Sequence, residues 1–430
     1  MISSGNWRAG KTGQAGPSQP SCTLICEILS AMSKLQSAPV VSSSLDLGTY
    51  LGSHREGVWK VLPLYLGFAA TGIGVALPGV MLPILLARWS LPDEGGGNLF
   101  FVGWIGSSLG ALLLSGPLLR ALSRGGAAVA LAAVGLSFCP PWAATGCMLL
   151  YGLGLGTVMT SISLLIQKQA GDSTRALVRL NLLWALGASL CPVLVVRTLQ
   201  TGDLRAILYP LALLFVVLAA WAISQRSHQP DRESNALPPV AAASGFLASF
   251  VASVRRIPKS LLVLVMLTTG VEASAGGWLA TYAKRGGDPF SQIVAAPTCF
   301  WAGLLLSRLF WSFAPRAAAE RWVIRGSYLA MSASTLTLLI SPHGWPFFLA
   351  AACLGFGIGP VYPLLLAAAL RFHSGGGVFF LAGVGSALLP WLTGFVSTQR
   401  GSLHAGFFVP AAATLLMVAL SFKAPLPDRS

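Results

Sequence analysis

The stretch "SLLVLVMLTTGVEASAGGWLATYA", residues 260–283, carries a single charge, Glu272, between Lys259 and Lys284. About 20 apolar residues suffice for a helix to cross the hydrocarbon of a bilayer. The stretch therefore reads as a membrane span with an acid in its middle. Similar apolar runs recur through a chain of 430 residues that is 54% hydrophobic and 10% charged, with mean hydropathy +0.72. Soluble domains carry about 25% charged residues. Too little polar surface remains to cover a globule in water, and the fold class that follows is an all-α membrane protein.

Twelve spans are predicted, at 59–86, 99–120, 125–139, 142–167, 176–198, 205–224, 260–283, 290–312, 322–340, 345–370, 376–398 and 402–422. They imply a disordered tail over 1–57, in which Met32 is an alternative start, and a six-helix bundle over 58–224. A central loop at 225–259, a second bundle at 260–422 and a tail at 423–430 follow. The net charge of +15 does not form a basic face of the kind that binds nucleic acid. Of the 28 lysines and arginines, only Arg88, Arg197, Arg205, Lys284, Arg285 and Arg400 fall outside if the N-terminus is cytoplasmic. Positive charge marks cytoplasmic loops, so both termini are expected in the cytoplasm, with the chain multi-pass in a plasma or inner membrane.

The halves repeat. "ATGIGVALPG" and "TTGVEASAGG" align at an offset of 198, pairing Gly72 with Gly270; "LGASLCP" and "VGSALLP" align at the same offset, pairing Pro192 with Pro390. "YGLGLGTV" matches "LGFGIGPV". Gly152 with Gly156, and Gly355 with Gly359, are small residues one turn apart, the spacing that lets helix backbones approach closely. Pro360 and Pro363 suggest a bend in the tenth span.

Six plus six spans in two parallel repeats, joined by a cytoplasmic loop, resemble the major facilitator superfamily over residues 58 to about 422. The resemblance implies two pseudo-symmetric bundles that rock around a midplane site. "GSSLGALLLSGPLLRALSR" stands where that family has its loop between spans two and three. Gly116 and Arg124 match, while Arg120 replaces the usual aspartate and Ser123 the usual glycine. With Arg308 of "GLLLSRLF", the second-half copy, Gly116 and Arg124 are expected at a cytoplasmic gate. "GVEASAGGWLATY", "FWAGLLLSRL" and "GFGIGPVYP" are most similar to the fucose–proton symporter branch.

Acids deep in a bilayer cost a few kcal/mol and normally face a cavity or the protein interior. Glu272 is the one carboxylate expected at such depth, which suits a proton-coupling or substrate-binding group; a protonated acid bonded to a neighbouring helix is the competing reading. At helical spacing its face carries Thr268, Thr269, Ala275, Gly276 and Leu279. Thr268, Trp278, Tyr282, Trp301, Tyr362, Asn181 and Trp184 are candidates to line a substrate cavity, the aromatics because a ring with a polar tip gives area and orientation together. Interface belt and helix packing compete for each aromatic, most of all for Tyr282.

No nucleophile–base set, metal cluster or phosphate loop is present in the sequence, so no enzyme activity, cofactor or metal is expected. The function expected is secondary active transport driven by a gradient, with proton-coupled uptake of a sugar-like or other polar solute leading. Drug or metabolite export, and a membrane sensor or scaffold derived from a transporter, remain open. The expected partners are a small solute, protons and lipid, with the chain a monomer.

Overall fold

A computed structural model describes residues 47–112, 114, 116–169, 173–228, 250–251, 254–286, 290–313, 320–372 and 377–426. Most of the expected tail at 1–57, of the central loop and of the final residues lies outside them. Val58–Ser430 packs as one compact unit, and it is this unit that is described.

The unit is helical throughout its described length. In chain order the long helices are α1 Val61–Trp89, α2 Asp93–Leu112, α3 Leu118–Leu136, α4 Pro141–Gln169, α5 Ser173–Leu194 and α6 Arg205–His228. The second half gives α7 Lys259–Arg285, α8 Phe290–Phe313, α9 Glu320–Ile340, α10 Gly344–Leu370, α11 Gly377–Arg400 and α12 Leu403–Ser421. Eleven of these are long and apolar enough to cross a membrane; α2 is not among them. Its first turns read "DEGGGN", and Asp93 and Glu94 sit at the positive end of the helix dipole. Helices suit lipid because each satisfies its own backbone polar groups. Side chains such as Leu131, Leu213, Val217 and Ile340 are left exposed on the outer surface.

Two of the expected spans move. The second begins at Asp93 instead of 99 and stops at Leu112, and the third begins at Leu118 instead of 125. The apolar run "ALLLSGPLLR" conceals a turn: Gly116 has φ 78°, a left-handed conformation, and Pro117 follows as the N-cap of α3. Arg120 and Arg124 consequently lie on α3 and not in a loop. Pro360 and Pro363 leave α10 helical from Gly344 to Leu370.

The repeat is visible in the contacts. In the first half α4 packs on α2 and α3, and α3 on α6; in the second α10 packs on α8 and α9, and α9 on α12. The glycines make those contacts possible. A Cβ on Gly187 would fall 2.0 Å from the Ala69 carbonyl oxygen, and one on Gly385, its counterpart at offset 198, 2.1 Å from that of Met266. Gly152 and Gly156 press on the carbonyls of Gly103 and Ser107, each at 1.9 Å from a notional Cβ. Gly355 presses on that of Phe300 at the same distance, and Gly359 on the Ser307 side chain. Lipid supplies no hydrophobic drive between helices, so such backbone-to-backbone approach is what holds them.

Candidate functional site: a cavity between the two halves

A cavity of about 320 Å³ lies where the halves face each other. Helices α1, α2, α4 and α5 line it from the first half, and α7, α8, α10 and α11 from the second. Much of the wall is glycine, alanine and aromatic carbon, which leaves a few polar groups to set its chemistry.

Besides Tyr151 on α4, the ionisable groups of the wall come from the second half: Glu272 on α7, Arg308 on α8 and Tyr362 on α10. They act on one another electrostatically. Glu272 and Arg308 nevertheless share the cavity without a direct ion pair between them. Arg308 reaches across to the first half: its guanidinium lies 4.9 Å from the centre of the Trp184 ring and Nη1 donates to the Asn181 carbonyl at 3.4 Å. A cation over an indole face is attracted by the ring quadrupole, by about 0.5–2 kcal/mol depending on desolvation. Trp184 in turn meets Trp301 edge to face, with ring centres 5.8 Å apart. Both indole N–H groups are buried without an acceptor among the described residues.

Of the expected cavity residues, Asn181, Trp184, Trp301 and Tyr362 line this space, as does Arg308. Thr268, Trp278 and Tyr282 do not. The hydroxyl of Thr268 donates to the Leu264 carbonyl and faces Tyr328. Trp278 is fully buried, donates from Nε1 to the Pro390 carbonyl at 2.9 Å and meets Phe100 edge to face. Tyr282 stacks on Phe407 at 4.2 Å and bonds the Leu338 carbonyl and His404, which makes it interior and not a lipid-interface residue. The error is one of rotation. The cavity face of α7 is Thr269, Glu272, Ala273, Gly276 and Gly277, so Glu272 stands at its edge and not its centre. At 3.6 residues per turn that displaces the face by about 60°. A Cβ on Gly116 would meet nothing within 4 Å, and Arg124 is exposed on α3; neither lines the cavity.

One end of the cavity is sealed by residues that sequence reading passed over. Arg285, at the end of α7, makes a two-pronged ion pair with Asp93, at the start of α2. Ser397 of α11 donates to the same carboxylate. The Asp93 side chain is 5% exposed and that of Arg285 45%. Nearby, the Glu94 backbone N–H donates to Thr398 Oγ1 at 2.8 Å, and Trp391 Nε1 to Asn98 Oδ1 at 2.9 Å. Lys284 Nζ donates to the Pro83 carbonyl at 3.5 Å. Asp93 and Arg285 sit at span ends, 192 positions apart. The available signal was an acid and two cations at neighbouring outer ends of a repeat.

No protein-family profile matches the chain, and no curated protein is similar to it in sequence. Solved structures do match. A bacterial homologue of the human drug peptide transporters PepT1 and PepT2 superposes with TM-score 0.64 at 10% identity, covering 85% of this chain and 97% of that one. A proton dependent oligopeptide transporter gives TM-score 0.64 at 12% identity, over 85% and 97%. Tetrameric PepTSo2 gives 0.63 at 11% identity, over 86% and 97%. These structures overturn the expected resemblance to the fucose–proton symporter branch: the similar chains are peptide transporters. The motifs that suggested that branch are, in the structure, largely helix-contact residues such as Gly270, Gly276, Gly355 and Gly359. What these structures share with the chain is the fold, long helices in two six-helix halves.

Proposed function

We propose that this chain is a proton-coupled secondary transporter of small zwitterionic, peptide-like solutes, working by alternating access. One observation carries the reading: an acid and a cation, Glu272 and Arg308, face a single inter-bundle cavity without pairing directly. A solute carboxylate is the complement of Arg308, and a protonated Glu272 still offers its carbonyl oxygen to the solute's amine. Arg308 holds donors free for the carboxylate beyond its 3.4 Å bond to Asn181. The indole N–H groups of Trp184 and Trp301 are further donors once a modest rotation turns them inward. The volume of about 320 Å³ is at the small end for ligand pockets, which run roughly 300–1,000 Å³. It suits an amino acid or a very short peptide better than a large drug.

Coupling follows from sharing one cation. A solute carboxylate at Arg308 is repelled by an ionised Glu272 beside it. A proton on Glu272 removes the repulsion, so proton and solute favour each other's binding. The peptide transporters that share the fold are described as proton dependent, which supports the same direction. From the bias of positive charge we assign the sealed end, with Asp93 and Arg285, to the outer side, and the cavity's exposed lining residues, Asn181 and Phe379, to the cytoplasmic side. The cavity is complete within one chain, so the transport unit is the monomer.

The test is uptake of a labelled dipeptide into proteoliposomes with and without an inward proton gradient. Gradient-stimulated uptake is expected. Dipeptide binding with no flux in either condition would make the chain a sensor instead.

A further inference from the structure

Charge is distributed unevenly over the cavity wall. Glu272 and Arg308 both stand on the second half, and among the described residues that line the first half none is charged. On α4 the lining residues Met148, Tyr151, Leu155 and Met159 follow one another at intervals of three, four and four, which sets them on one helix face. The polar side chains of this half are tied to backbone. The Tyr151 hydroxyl donates to the Gly74 carbonyl at 2.8 Å, that of Ser108 to the Trp104 carbonyl at 3.0 Å, and Asn181 Nδ2 to the Leu177 carbonyl at 3.0 Å.

A solute with its carboxylate at Arg308 and its amine at Glu272 is anchored on the second half, and its own side chain is left to the apolar wall of the first. A charge on that side chain would lose water and gain no partner, because the acid and the cation of the cavity are already engaged. Size matters less than charge here. Methionine is unbranched and polarizable, and it repacks around apolar groups of different shape. Given the transport reading above, we infer that Met148, Leu155 and Met159 form a side-chain subsite that admits solutes with apolar side chains and rejects those with acidic or basic ones.

Competition against uptake of labelled alanyl-alanine by the full-length protein in proteoliposomes, under an inward proton gradient, tests this. Alanyl-leucine and alanyl-methionine are expected to compete within about threefold of each other. Alanyl-aspartate and alanyl-lysine should each be weaker by about tenfold or more. Met159→Lys sets a cation on the subsite and should raise the relative potency of alanyl-aspartate by about fivefold. Should that variant fail to fold, Leu155→Ala removes volume only, and is expected to shift the order from alanyl-leucine toward alanyl-phenylalanine while charged side chains stay rejected. Equal competition by charged and apolar dipeptides overturns the subsite and leaves the transport reading standing. A wild-type order of potency in both variants overturns the assignment to these residues. Absence of both uptake and binding of alanyl-alanine overturns the transport reading, and the subsite with it.

Discussion

The two ends of the cavity are bridged by different physics. At one, a buried carboxylate, a guanidinium and a serine hydroxyl bind α2, α7 and α11 together, with backbone and indole donors adding further crossings. At the other, among the described residues, the crossings include Arg308 against Trp184 and Asn181, Trp184 against Trp301, and the close approach of Gly383 to Ser108. The sealed end spends its charges on each other. The opposite end keeps a cation whose only hydrogen bond is a long one. Strong, saturated contacts suit a resting gate, whereas an unsaturated cation suits a group that must exchange partners during each cycle.

That contrast can be broken most severely at Arg308. Arg308→Ala should reduce dipeptide uptake about 100-fold, the scale expected when a buried charge partner of a ligand is truncated. Arg308→Lys, which keeps charge but loses the planar fork, should recover part of it. Proteoliposome uptake at saturating gradient measures both. Next comes Glu272→Gln. Proton and solute coupling of 1–3 kcal/mol corresponds to roughly 5–150-fold, so gradient-driven accumulation should fall on the order of tenfold or more. Exchange of labelled for unlabelled solute should persist and lose its pH dependence. A variant that still accumulates solute against a gradient would detach Glu272 from the coupling.

The sealed end should yield less in flux and more in conformation. Asp93→Asn weakens a charge-assisted pair; because Arg285 is half exposed, the loss is discounted to about 1–2 kcal/mol. The outward-open population should rise by about tenfold. The readout is faster labelling of Ala273→Cys by an impermeant thiol reagent from outside, in a background without the native cysteines. Unchanged labelling would mean that the ion pair holds nothing shut. The smallest effect belongs to Gly116→Ala. Nothing crowds that position, so only the left-handed backbone is strained, costing about 1 kcal/mol. A slightly lower melting temperature with unaltered uptake is expected.

What was legible in the sequence followed from local composition. Apolar length marked the helices, and the motif offset of 198 marked the repeat that reappears as matched contacts at Gly187 and Gly385. Glu272 stood out because an isolated charge in an apolar run has few uses. Other features depended on relations no local pattern records. The turn at Gly116 and Pro117 hid because its flanks are as apolar as a span. Which side of α7 faces the cavity depends on where α8 and α11 pack, so Thr268, Trp278 and Tyr282 were misplaced though each is buried. Asp93 and Arg285 look like ordinary loop charges until the fold sets them side by side.

Gly79 and Gly276 also belong to the cavity wall, and a Cβ on Gly79 would fall 2.0 Å from the Gly276 carbonyl oxygen. Here α1 and α7 have no side chains left to compress between them. If the bundles swing as proposed, this contact is a point about which they can turn, as a lever turns about its fulcrum. Widening on one face of the membrane would then bring narrowing on the other.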